Sequence, residues 1–216
     1  MTWHTLERAQ LAQALTDAGP DAPTLCEGWQ ARHVAAHVVL RESSPVVGAG
    51  IVVPALAGRA ERAIERLAGT ATSDASYGAL VARVAHGPSR LHPMTWAGEP
   101  INLLEFFVHT EDVRRGAGPV PPRALEPGHR TALWTYLCTA GGLRLRRVPV
   151  GVVLVRPDGV RHLLHHARGG AGTVVVRGDV GELVLYLFGR GAAADVRLAG
   201  DPDDLAALAR VLPTTR

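Results

Sequence analysis

Two histidines in one short stretch of the sequence, and a glutamate, a histidine and an aspartate in another, are spaced to bind a metal or move a proton together. His33 and His37 lie in WQARHVAAHVVLRES (29–43), and Glu105, His109 and Asp112 lie in INLLEFFVHTEDVRR (101–115). At about 100° per residue, positions four apart share a helix face, so His33 pairs with His37 and Glu105 with His109. With His109 at zero on a helical wheel, Asn102 falls at about +20°, Glu105 at about −40° and Asp112 at about −60°. Ile101, Leu103, Leu104, Phe106, Phe107, Val108 and Val113 fill the remainder of that wheel, so the helix is buried on most sides and its narrow polar stripe faces either a thin strip of solvent or a polar interior. A carboxylate and an imidazole buried without partners would cost several kcal/mol, and a metal ion is one of few partners that satisfies both. On the other stretch, Gln30 and Arg41 flank the two histidines among Val34, Ala35, Ala36, Val38 and Val39. One imidazole from here with Glu105 and His109 makes a His2Glu set, the donors of catalytic zinc sites that keep a fourth position open. Nickel, iron and manganese also accept such donors. Either stretch alone is as well explained by a surface pair; their joint occurrence on two apolar helices favours a site.

Helical spacing and its punctuation supply the elements that must carry these residues. The sequence predicts helices at 3–18, stopped by Gly19-Pro20, at 29–43, at 54–68 and 74–86 (one long or two short), at 101–115 and at 127–146. Pro88, Pro93 and Pro100 bracket a loop. From 147 the pattern changes to β-branched runs at 149–156, 159–166 and 172–177, separated by Pro-Asp-Gly and Gly-Gly, the punctuation of hairpins. A helix at 180–189, a strand at 194–199 and a helix at 202–211, with Asp201 as its N-cap and Pro202 at its first position, follow. The expectation is an α+β chain: a helical domain at 1–146 and a small α/β domain at 147–216.

Composition narrows the class. The formal charge is +3 over 216 residues, and every basic residue is Arg. The densest basic run, Arg144, Arg146 and Arg147, is short and lacks interleaved aromatics, which argues against nucleic acid. Apolar runs such as 46–57 are broken by Gly and Pro and fall short of a membrane span. Two cysteines, Cys26 and Cys138, make no disulfide framework, and no signal peptide precedes the first helix, so a cytoplasmic protein is expected. Cys26 reads as a small hydrophobe. His165 and His166 point to opposite faces of a strand, and Trp29, Trp96 and Trp134 read as core.

The strings LCEGWQARHVAAHVVLRE (25–42) and NLLEFFVHTEDVRRG (102–116) resemble the two signature segments of the DinB-like, mycothiol-dependent maleylpyruvate isomerase superfamily. They are most similar to an actinobacterial branch of metal-binding proteins. The resemblance implies an N-terminal DinB-like four-helix bundle and, from GELVLYLFGR (181–190) and GDPDDLAAL (200–208), a small sterol-carrier-like C-terminal domain. It implies His37, Glu105 and His109 as ligands of a divalent metal, best zinc, with Asp112 at the motif's acidic position, where it would orient His109 from behind or else pair with Arg115. His33 stands where relatives usually have Asp, as an outer group or an alternative ligand. A small-molecule thiol such as mycothiol would bind at the open position and act as a thiolate, in an isomerase by adding to an activated double bond and then leaving, or in a transferase by displacing a leaving group. Arg190 would hold a substrate carboxylate, or else cap its own helix. The competing reading is a non-enzymatic protein with a structural metal and an apolar ligand in its C-terminal domain. Oligomeric state is left open.

Overall fold

The computed structural model describes residues 2–44, 47, 54–88 and 99–214, so Trp96 and most of the 46–57 run lie outside the described residues. Among the described residues there are eight α-helices and one four-stranded sheet, a mixed α+β fold. These divide between two compact units, Met1–Val120 and Pro121–Arg216.

The N-terminal unit holds α1 (Trp3–Ala18), α2 (Ala31–Ser43), α3 (Pro54–Ala68), α4 (Asp74–His86) and α5 (Glu99–Arg114). α1 packs on α5 and α4, and α2 packs on α3 and α4, so α1, α2, α4 and α5 make the four-helix core with α3 laid on α2. Leu11, Leu15, Val34, Val38, Val84 and Phe106 fill it. α1 ends at Gly19, whose φ of 79° is left-handed and whose N–H reaches the Leu15 carbonyl. α2 starts two residues later than the apolar spacing predicts, because Trp29 belongs to the preceding turn and bonds its N–H to the Cys26 carbonyl. α5 starts earlier: Glu99-Pro100 form its first turn, where a proline lacks no needed donor.

The division at Val120/Pro121 falls earlier than the boundary expected at 146. Helix α6 (Pro127–Ala140) packs on α7 (Val180–Leu187) within the C-terminal unit. α6 also stops short of 146, giving way at Gly141-Gly142 to a 3-10 turn through Leu145. Strands β1 (Gly151–Val155), β2 (Arg161–His165), β3 (Thr173–Arg177) and β4 (Arg197–Ala199) are ordered β2-β1-β3-β4, and α8 (Pro202–Ala209) packs on β3. Pro157-Asp158-Gly159 closes the β1–β2 hairpin as expected. Gly169-Gly170 does not close a second one: β3 crosses to the other edge of β1 and pairs with it in parallel. The strands' sequences explain the order. GVVLV is apolar and buried, fit for a central strand, whereas RHLLH leaves alternate residues exposed and suits an edge.

Candidate metal centre

α5 presents Glu105, His109 and Asp112 along its buried stripe, and α2 brings His37 to the same point. His37 Nε2 lies 2.9 Å and His109 Nε2 lies 3.2 Å from one oxygen, Glu105 Oε1. The two imidazole rings meet edge to face with centroids 5.0 Å apart. These three donor atoms all lie within 4.8 Å of one another. Bonds of about 2.1 Å in a tetrahedral site put neighbouring donors about 3.4 Å apart, so the observed spacings are those of a ligand set drawn slightly inward. The donor set therefore fits a divalent metal.

The surroundings hold each ring in place. Asp112, fully buried, accepts from His109 Nδ1 at 2.9 Å and from the Cys26 thiol at 3.2 Å. Cys26 is placed by a loop tied to the end of α5, where the Leu25 N–H bonds to the Asp112 carbonyl. Gly116 permits this approach, since a Cβ there would overlap the Pro23 carbonyl. The Trp29 ring lies 5.4 Å from the His37 ring, and its Nε1 donates to Glu61. On the far side, Arg41 donates from Nη1 to Asn102 Oδ1 at 3.0 Å, and its Nε lies 3.6 Å from Glu105 Oε1. The Glu105 side chain is 20% exposed against 11% and 9% for His37 and His109, so the set opens at the carboxylate.

Burial opposes charge on all three groups, and their partners decide the outcome. Burial lowers the His37 pKa further than its bond to Glu105 raises it, which keeps the ring neutral. Burial acts the same way on His109, but bonds to Asp112, Cys26 and Glu105 overcome it and lift its pKa well above the usual value. Glu105 would be raised by burial, yet the two histidines hold it well below the usual carboxylate range. His37 Nδ1 is buried with no hydrogen-bond partner among the described residues.

Of the five site residues that the sequence placed in the N-terminal unit, the structure brings together four: His37, Glu105, His109 and Asp112. His33 is not with them. Its Nδ1 accepts the Gln30 N–H at 3.1 Å, and its Nε2 faces Glu65 at 3.1 Å, so its ring is spent on capping α2 and on a surface carboxylate. Arg190, in the C-terminal unit, donates to the Phe188 carbonyl at 2.7 Å, the capping contact that was one of its two readings. Cys26 was missed. It is half-buried and donates to Asp112 rather than serving as plain filling, and no local pattern links residues 26 and 112. Arg41 and Asn102 were visible on the polar stripes, but no task followed from that placement. β2 ends at His165, which is buried with Nε2 on the Val148 carbonyl, so His166 lies beyond the strand, exposed, and strand alternation does not set its direction. Trp134 stacks edge-on to His162 and lies under the Arg156 guanidinium.

Residues 5–114 match the family model described as the mycothiol maleylpyruvate isomerase N-terminal domain. The chain is similar to the crystal structure of the mycothiol-dependent maleylpyruvate isomerase, at 18% identity and a TM-score of 0.55, covering 91% of this chain and 90% of that one. A mutant of that enzyme with one histidine changed to alanine gives 18% identity, a TM-score of 0.54 and the same coverage. No curated protein matches the chain.

Proposed function

The chain belongs to the mycothiol maleylpyruvate isomerase N-terminal domain family, and we propose that it is a metal-dependent isomerase or transferase that uses a small thiol cofactor, with His37, Glu105 and His109 as the ligands. The observation that carries this reading is the convergence of two imidazole Nε2 atoms on Glu105 Oε1, at the exposed end of an otherwise buried set. His33 is engaged elsewhere, which leaves three protein donors, the number of an open catalytic site. A divalent ion held there, zinc suiting two imidazoles and a carboxylate best, would lower the pKa of a bound thiol so that thiolate prevails at neutral pH.

The protein's own groups prepare that chemistry. Asp112 keeps a proton on His109 Nδ1, which leaves Nε2 its lone pair and fixes the ring's direction. Trp29 and the apolar faces of α2 and α5 exclude water around the two imidazoles. The chain offers poor nucleophiles of its own. Burial pushes the Cys138 thiol up to about 11, and Cys26 donates to Asp112. The thiol therefore comes from outside, and the family relationship makes mycothiol the candidate. Among the described residues no helix is long and apolar enough to cross a membrane. The two free cysteines suit the reducing cytoplasm.

The test is metal analysis of protein purified without a histidine tag, followed by calorimetry with mycothiol in two buffers of different ionisation enthalpy. Binding should release protons and vanish on chelation. No binding at millimolar thiol to fully metallated protein would overturn the proposal and leave a structural metal.

A further inference from the structure

Arg41 stands beside this site with no task in the reading above. It lies one turn beyond His37 on α2 and is only 3% exposed. A buried guanidinium is costly unless its donors are used, and Arg41 uses few of its five. Nη1 meets Asn102 Oδ1 at 3.0 Å. Nε lies 3.6 Å from Glu105 Oε1, beyond the roughly 2.7–2.9 Å of a good charge-assisted bond. That oxygen is already the shared partner of His37 and His109. Neither Arg41 contact involves Nη2. Asn102, 6% exposed and one turn before Glu105 on α5, holds the plane of the guanidinium from the neighbouring helix. A fixed, planar cation therefore sits within reach of the point where the three candidate ligands converge, with donor capacity to spare.

We propose that Arg41 binds a carboxylate of the molecule that occupies this site, so that the centre selects small carboxylate-bearing ligands. The inference rests on the metal-site reading and deepens it by naming the ligand class. Its physical basis is the fit of a guanidinium fork to a carboxylate, which neither a lysine nor a neutral side chain reproduces.

The test uses the full chain loaded with cobalt(II), whose visible spectrum reports ligands entering the site. Two probes are titrated, mercaptoacetate and 2-mercaptoethanol, which share a sulfur and differ in the carboxylate. Comparing their affinity ratio between wild type and Arg41→Met cancels the intrinsic difference between the thiols. The expected result is a loss of about ten-fold or more for mercaptoacetate, the scale of one charged hydrogen-bonded pair, with 2-mercaptoethanol nearly unchanged. Arg41→Lys should fall between the two and decides the question if Arg41→Met does not fold. An unchanged ratio overturns the role of Arg41 while leaving thiol binding standing. If neither thiol binds the wild-type cobalt protein, the thiol reading fails. Acetate titrated into the same sample then judges Arg41 alone, with equal affinity in wild type and variant overturning it. Failure of the wild type to take up cobalt sinks both.

Discussion

Replacing Asp112 with Asn removes the negative charge that faces His109 Nδ1. Asp112 Oδ2 accepts two donors, His109 Nδ1 at 2.9 Å and the Cys26 thiol at 3.2 Å, and the residue is fully buried. An asparagine can keep its carbonyl oxygen at that position and so retain both bonds in neutral form. A hydrogen bond to a charged group is worth about 1.5–3 kcal/mol and a neutral one about 0.5–1.5, so the variant loses about 1–1.5 kcal/mol, or about ten-fold in metal affinity. That agrees with the low end of the roughly 10–100-fold losses seen when a carboxylate behind a ligating histidine is removed. The loss also has a sign in pH. The metal and a proton compete for His109 Nε2, and the pKa of His109 is raised well above the usual value, chiefly by Asp112 once burial is overcome. Above that pKa the carboxylate favours the metal-bound ring over the neutral one, and the full deficit is expressed. Below it, the carboxylate stabilises the competing imidazolium at least as strongly, so the deficit shrinks as pH falls. Competition with a chelator across a pH series, with zinc or cobalt, measures both features. An unchanged affinity would refute the role assigned to Asp112. A ten-fold loss that is the same at every pH would show that the substitution acts through packing instead.

Three further outcomes are expected. His37→Ala should abolish stoichiometric metal binding yet keep the helical circular dichroism, because Val34, Val38 and their neighbours rather than the imidazole fill the core; complete unfolding would mean a structural site. Gly116→Ala should destabilise the protein by about 1–3 kcal/mol in thermal melts, the usual cost of overpacking, because its Cβ meets the Pro23 backbone; it should also weaken metal binding by moving Cys26 away from Asp112, and a wild-type melting temperature would contradict this. Cys138, with its thiol pushed up to about 11, should react with iodoacetamide at pH 8 far more slowly than a free thiol near 8.5, as read by peptide mass spectrometry. Rapid labelling would reopen the case for an internal nucleophile.

What lies within one helix was legible from sequence alone. Glu105, His109 and Asp112 are locked to a common stripe by the 3.6-residue repeat, and apolar neighbours bury the helix on most sides; that the stripe itself turns inward came from the structure. The helix at 54–86 left one break undecided, and the structure divides it at Gly69–Ser73, between α3 and α4. Sequence spacing could not choose between His33 and His37, because two residues four apart share a face; only the capping contact with Gln30 and the nearness of Glu65 take His33 away. Nor could it give Cys26 or Arg41 a partner, since their contacts with Asp112 and Asn102 join positions 86 and 61 residues apart. The parallel pairing of β3 with β1 was hidden for the same reason, as a Gly-Gly link serves a hairpin and a crossover equally well. Local periodicity is set by backbone geometry, which every residue carries in its own sequence neighbourhood. Which stripe meets which depends on how whole apolar faces pack, and that is decided only when the entire core closes.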